Sequence, residues 1–385
     1  MRPQVQEGAG SEAVIVAVPS AIGAVYCAKK KPTATEENRG DAKTFLVDSL
    51  ATPETAALFR NLRDNSCKGV MFGHQDDTAY GVGWKAEPGR SDVKEVCGDY
   101  PAVYGWDLGD IQNPANLDGV DFSLMKNLIR EAYGRGGVNT ISMHLDNPVT
   151  GGDAWDNSAV VGQILPGGPR HAAYMRTLSL IAAFLKDLKT PAGTFVPVIL
   201  RPYHEHNQTW PWWGKSACTA DEYTALWRMT VEYFRDGCGL HHLLYAISPQ
   251  DVGTERDYLE RYPGDAYVDV LGLDYYGLTD ASKVPKLAGM LKIMRDLAES
   301  RGKVSAVTEI GVDRAGIPGW WTNYLLKALK GNAQSRKTAW TLVWRNASTS
   351  HHFGPYPGHA SAPDFVKFYN DSLTVFEGDL PDLYR

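Results

Sequence analysis

The chain has 385 residues, 43% of them hydrophobic and 22% charged, with a formal net charge of −6. That is enough apolar material for a large core, and the acidic balance argues against a general nucleic-acid binder, which needs a basic face. No apolar run reaches the eighteen or so residues of a membrane helix, so no spanning segment is expected. Eleven tryptophans and nineteen tyrosines stand out, either as core filler or as a binding surface.

In chain order, residues 1–40 differ from the rest. Ala13 to Ala28 is mostly small and apolar, interrupted by Pro19, Ser20 and Gly23, and is followed by Lys29, Lys30 and Lys31. It resembles the apolar part of a secretory leader, which would make the protein secreted, periplasmic or attached at the cell surface. A lipoprotein leader would use Cys27 as its attachment point. Glu7 and Glu12 fit a leader poorly, and a frayed tail is the competing reading. Residues 29–39 read as a linker, leaving 41–385 as one folded domain.

From residue 69 onward, short β-rich apolar runs alternate with amphipathic helices. The runs are 69–74, 102–107, 138–144, 195–201, 243–248, 268–274, 304–309 and 339–344. Most lack clean polar alternation, as expected of parallel strands covered on both faces. Thr52 before Pro53 reads as a helix N-cap with proline at the first helical position, and Thr219-Ala-Asp-Glu222 as a capping box. Further helices are expected over 124–133, 171–188, 284–299 and 320–329. Eight strands with intervening helices give a (β/α)₈ barrel. The rival open sheet lacks a glycine-rich turn after its first strand. Pro197 and Pro202 count against an interior fourth strand, but both lie near its ends.

The cysteines constrain little. A helix of about sixteen residues would hold Cys218 and Cys238 roughly 24 Å apart, too far for a bridge. Cys67 and Cys97 precede two neighbouring strands, and a disulfide between them stays open. No cysteine or histidine spacing suggests a metal site, and no cofactor is expected.

Each run ends in or near a polar or aromatic residue: His74, Asp107, His144, Glu205, Gln250, Asp274, Glu309 and Trp344. In a barrel these positions converge on one face, where active sites are built. Glu205 follows the fourth strand and Glu309 ends the seventh. A pair of carboxylates facing each other across the mouth is the requirement of glycoside hydrolysis. Glu205 could instead form an ion pair with Arg201, and Glu309 could be a buried structural carboxylate. The triplet His204-Glu205-His206 lacks the spacing of a zinc hydrolase. On an extended strand, its histidines would share one face and Glu205 would point away. Trp210, Trp212 and Trp213 lie on the loop that follows, suited to stacking on sugar rings. Trp84, Trp106 and Trp155 could line the same cleft, while Trp227, Trp320 and Trp321 lie on helices and are expected to pack outside the barrel. The long glycine-rich loop 146–169 could wall one end.

Arg201-Pro-Tyr-His-Glu205 with Trp210-Pro-Trp-Trp-Gly214 resembles the acid/base segment of glycoside hydrolase family 26, mostly β-mannanases. Gly73-His-Gln75, Tyr104-Gly-Trp-Asp107, His144-Leu-Asp-Asn-Pro148, Asp274-Tyr-Tyr-Gly277 and Thr308-Glu309 match in the same order. The resemblance spans nearly the whole barrel. It implies a retaining, endo-acting hydrolase of β-1,4-mannan, with Glu205 as acid/base and Glu309 as nucleophile. His204 and Tyr276 would position substrate and bond the nucleophile, and Trp344 would be the platform under the reacting sugar. His144, Trp210 and Asp274 would be wall residues, with Arg201 beside them. Gln208 and Pro211 depart from the family pattern. The implied partner is a mannan polysaccharide or oligosaccharide, met by a monomer. Rival readings are the same chemistry on mixed-linkage β-glucan or β-1,3-xylan, release of mannobiose from chain ends, a non-catalytic carbohydrate-binding barrel, or a metal-dependent hydrolase.

Overall fold

The computed structural model describes residues 45–385. The leader, linker and Cys27 readings lie outside the described residues.

Eight parallel strands close into a barrel: β1 (Val70–Gln75), β2 (Val103–Asp107), β3 (Val138–Met143), β4 (Val198–Pro202), β5 (Leu243–Ile247), β6 (Val270–Tyr275), β7 (Val304–Ile310) and β8 (Trp340–Val343). β8 pairs with β1 in register Met71↔Trp340 to His74↔Val343, which completes the ring. A short strand, Thr374–Val375, adds to the start of β1 from outside. The fourth strand is shorter than the sequence suggests. It starts after Pro197 and ends on Pro202, so neither proline interrupts a ladder that needs its amide.

Period-two alternation divides the strands into two apolar layers. Met71, Val103, Ile199, Leu244, Ala246, Val270, Ala306, Trp340 and Leu342 cluster inside the barrel. The helix Pro53–Arg63 joins that cluster through Leu58, Phe59 and Leu62 and closes the lower end. Phe72, Tyr104, Trp106, Ile141, Leu200, Tyr245, Leu271 and Val307 belong to the outer layer, under the helices. Trp227, Trp320 and Trp321 are buried there too, in keeping with their helical placement. Residues of inner parity continue up each strand to its carboxyl end, so the polar residues at the mouth crown the same ladder that packs the core.

Local signals act as expected. The Thr52 hydroxyl accepts the Thr55 amide, and the Thr219–Glu222 capping box is complete. The expected helix at 320–329 is a π-turn, Trp320–Leu325, running into a short α-helix, Leu326–Leu329. Gly105 is required by close approach, because a Cβ there would fall 2.0 Å from the Gln75 side-chain oxygen. Cys67, Cys97, Cys218 and Cys238 are all free thiols, which closes the question of a Cys67–Cys97 bridge. None of the described helices is long and apolar enough to cross a membrane.

Candidate active site

Arg201 stands on the inner face at the end of β4. Its guanidinium donates to Asp274 Oδ2 at 2.9 Å, to Ser248 Oγ at 3.0 Å, and to Glu309 Oε1. The ion pair with Glu205 considered from the sequence is not formed; Arg201 pairs with Asp274 and Glu309 instead. Asp274 is not a cleft wall either. It is fully buried beneath Arg201 and also accepts the Ser248 and Thr308 hydroxyls. Burial raises its pKa to about 7, with Arg201 opposing and the Glu309 charge assisting.

A bulge in β7 aims Glu309. The register runs Leu273↔Val307 and then Asp274↔Glu309, so Thr308 is the extra residue. Without it Thr308 would oppose Asp274 and Glu309 would turn away from the barrel mouth. Tyr276, just past β6, donates to Glu309 Oε2 at 2.9 Å, so two donors hold the two oxygens of this carboxylate.

Glu205 is set by a turn, not by an extended strand. Tyr203 and Glu205 both adopt left-handed backbone conformations, with φ of 48° and 51°. The chain therefore reverses its faces after Pro202 and brings Glu205 toward the centre. The Glu205 amide donates to Ser248 O at 2.7 Å, anchoring the turn to the end of β5. Trp210 Nε1 donates to Glu205 Oε2 at 2.6 Å, and Gln250 Nε2 donates to Oε1 at 3.0 Å. Asn207 exchanges bonds with the Gln250 backbone, which fixes that glutamine. Burial, reinforced by the charges of Asp274 and Glu309, pushes the Glu205 carboxyl up to about 8. One carboxylate oxygen from each of Glu205, Asp274 and Glu309 lies within 4.8 Å of those of the other two.

The turn also scatters the histidine triplet. His204 Nε2 lies 3.1 Å from His144 Nε2, and His144 Nδ1 lies 2.7 Å from Asp107 Oδ2. Burial works to lower the His144 pKa, but the Asp107 carboxylate outweighs it and the net shift is upward. His204 is lowered by burial and by neighbouring Arg201, and sits 3.9 Å from Glu309 Oε1. His206 faces the other way, against the Tyr223 ring with centroids 4.5 Å apart. The two histidines therefore do not share a ligand point. Among the described residues the acidic trio is the only convergent group with metal-ligand character, and the Arg201 guanidinium already supplies a cation between two of its members.

The aromatic residues divide differently than their loop position suggests. Trp212 and Trp213 are 0% exposed, donating to Leu145 O and His204 O, so they are core residues that brace the turn. Trp106 is equally buried. Trp210 and Trp344 are half-buried at the mouth. Trp155, on the long loop after β3, is 53% exposed, with its ring 5.5 Å from His144 and 5.3 Å from Trp210. Trp84 lines a cavity of about 480 Å³ with Tyr80, Lys85, Asp118 and Arg345, on the rim opposite β4. Arg261, Asn207 and Ser248 were missed as site-shaping residues. Nothing in local spacing marks them, since each acts on a distant segment.

The chain matches the model of glycosyl hydrolase family 26 over residues 47–345. It is 37% identical over 323 residues to a mannan endo-1,4-β-mannosidase of Bifidobacterium adolescentis, covering 78% of this chain and 32% of that protein. The chain thus spans about a third of that relative's length. A β-mannanase structure from Bacteroides ovatus superposes with a TM-score of 0.83 at 43% identity, covering 87% of this chain and 98% of the other. A modular endo-β-1,4-mannanase from Cellulomonas fimi gives the same score at 37% identity, over 88% and 79%.

Proposed function

As the chain belongs to glycosyl hydrolase family 26, we propose that it is an endo-acting, retaining mannan endo-1,4-β-mannosidase. The observation that carries this reading is the Glu205–Glu309 pair, with oxygens within 4.8 Å. Retention needs carboxyl groups about 5–5.5 Å apart, whereas inversion needs roughly 6.5–9.5 Å to admit a water between them.

In the first step Glu309 attacks the anomeric carbon while Glu205 delivers its proton to the departing oxygen. A carboxyl near 8 is protonated at neutral pH, as this step requires. Arg201 and Tyr276 orient the attacking carboxylate. Once Glu309 is esterified its negative charge is gone, and one of the influences that held the Glu205 proton disappears with it. Glu205 can then take a proton from the water that hydrolyses the glycosyl-enzyme. The Asp107–His144–His204 chain holds a neutral His204 beside the nucleophile. Trp344, Trp210 and Trp155, gathered around His144 at the mouth, offer apolar faces to sugar rings.

A polymeric substrate cannot cross a membrane, and this accords with placing the enzyme outside the cytoplasm, with residues 41–385 as its catalytic domain. The direct test is product analysis over time on mannan, galactomannan, mixed-linkage β-glucan and β-1,3-xylan, with the anomer of the first product read by proton NMR. Early release of mixed β-anomeric manno-oligosaccharides is expected. Cleavage of only a glucan or xylan, release of mannobiose alone, or an α-anomer as first product would overturn the corresponding part of the reading.

A further inference from the structure

The Glu205 carboxyl is held by a second donor besides Trp210. Gln250, three residues past β5, donates its side-chain amide to Glu205 Oε1 at 3.0 Å, while the Trp210 indole holds Oε2. The glutamine is half-buried at the mouth, and neither step of the reaction as described assigns it a part.

The Gln250 backbone is gripped from two sides. Asn207 Nδ2 donates to Gln250 O at 2.7 Å, and the Gln250 amide donates back to Asn207 Oδ1 at 2.8 Å. Gln208, which departs from the family pattern, adds its own side-chain amide to the same carbonyl at 3.4 Å. On the far side Gln250 bridges to Asp274. The Asp274 amide donates to Pro249 O at 3.1 Å, and the Asp251 amide to Asp274 O at 3.2 Å. The loop that carries Glu205 therefore also fixes the residue that bonds to it.

An amide N–H favours the ionised form of a carboxyl, because it supplies a donor to an oxygen that can then only accept. The groups facing Glu205 divide by sign. Burial, Asp274 from β6 and Glu309 from β7 favour its protonated form, while Trp210 and Arg201 from β4 oppose them. Tyr276 is engaged with Glu309, and Asp251 with Lys286 at 2.6 Å. His204, beside Trp210 with ring centroids 5.7 Å apart, is held neutral.

We propose that Gln250 is a positioning residue for the acid/base, and that its amide stabilises the carboxylate form of Glu205 that the second step needs. This role rests on the glycosidase reading. In that step water attacks the anomeric carbon and passes its proton to Glu205, and the bond to Glu309 breaks to release that carboxylate. Without the Gln250 donor, Glu205 keeps its proton to higher pH. Its work as an acid then persists further into alkali, and its work as a base fails at mildly acidic pH.

Gln250→Met removes the donor at similar length, and Gln250→Glu keeps the shape but puts a carboxyl in its place. The alkaline limb of kcat/KM reports the first step. It should rise by about one pH unit in Gln250→Met and further in Gln250→Glu. At mildly acidic pH, Gln250→Met should release phenol from an activated aryl mannoside in a larger burst than wild type, with kcat and KM falling together. Azide attacks the anomeric carbon without giving up a proton, so it should restore that lost turnover. In substrate-free protein, carbon-13 NMR of the glutamate carboxyls should place the Glu205 titration above its wild-type value of about 8 in both variants. An unmoved limb, or a loss of rate that is equal at every pH and indifferent to azide, would make Gln250 merely structural and overturn the proposal. A downward shift would also overturn it, since the amide would then be turning its oxygen toward the carboxyl. If wild type cleaves no mannan while the NMR shift is present, the glycosidase reading fails and the hold of Gln250 on Glu205 stands.

Discussion

Trp210 donates its indole N–H to Glu205 Oε2 at 2.6 Å, so the ring that faces the cleft also sets the charge of the carboxyl beside it. A donor to a carboxylate favours its ionised form, and here it counteracts burial and the two neighbouring acids. Trp210→Phe keeps an aromatic face and removes only the donor. A hydrogen bond to a charged group is worth roughly 1.5–3 kcal/mol, so the Glu205 pKa should rise by about one unit or more. The alkaline limb of kcat/KM, expected near 8 in the wild type, should move upward by that amount. A limb that stays in place or moves down would show that Trp210 does not tune Glu205.

Glu309→Gln should move the same carboxyl in the opposite direction. The Glu309 charge is one of the influences raising Glu205, and a neutral amide removes it while Arg201 and Tyr276 remain. Carbon-13 NMR of the glutamate carboxyls in this inactive variant should place the Glu205 titration below its wild-type value of about 8. This substitution imitates the charge of the glycosyl-enzyme, so the measurement reports whether Glu205 changes from acid to base between the two steps.

Much of this arrangement was legible in the sequence, because a barrel converts strand ends into neighbours whatever their separation in the chain. His144, Glu205, Asp274, Glu309 and Trp344 could be grouped on that rule alone. What could not be read were departures from ideal strand geometry. Period two fails at Thr308, where one extra residue turns Glu309 toward Asp274, and again at Tyr203 and Glu205, whose left-handed backbone swings the carboxylate inward. The same turn overturns the reading of Trp212 and Trp213 as sugar platforms: a surface loop that folds back on itself has an interior, and these two rings fill it.

Arg261 accounts for how that folded turn is held. It is 3% exposed, and its donors go to carbonyls of the acid loop: His206 O, Cys218 O at 2.8 Å and Thr219 O at 2.9 Å. Its guanidinium also lies 4.7 Å from the Tyr223 ring centroid. Lysine retains the charge but cannot reach several carbonyls in one plane. Arg261→Lys should cost roughly 2–4 kcal/mol of stability, as buried carbonyls lose their donors. It should also lower kcat on mannan more than on an aryl mannoside with a good leaving group, since a displaced Glu205 matters most where protonation is needed. An equal loss on both substrates would confine Arg261 to a structural role.

His206 provides a stability test with a definite sign. It is buried with both ring nitrogens unpartnered, and burial with help from Arg261 depresses its pKa to about 3. In the unfolded chain a histidine titrates near 6.5. Between those values the unfolded state binds a proton that the native state refuses, so this residue removes stability as the pH falls below about 6.5 and stops doing so near 3. His206→Phe fits a flat ring against Tyr223 and has no such linkage. Relative to wild type, the variant should therefore gain stability on acidification, by about 1.4 kcal/mol per pH unit between roughly pH 6 and pH 4. Comparing the two proteins cancels the opposing contributions of the raised carboxyls Glu205 and Asp274, which are common to both. Urea denaturation at several pH values measures the difference directly, and a constant offset across that window would mean that native His206 takes up its proton as readily as the unfolded chain does.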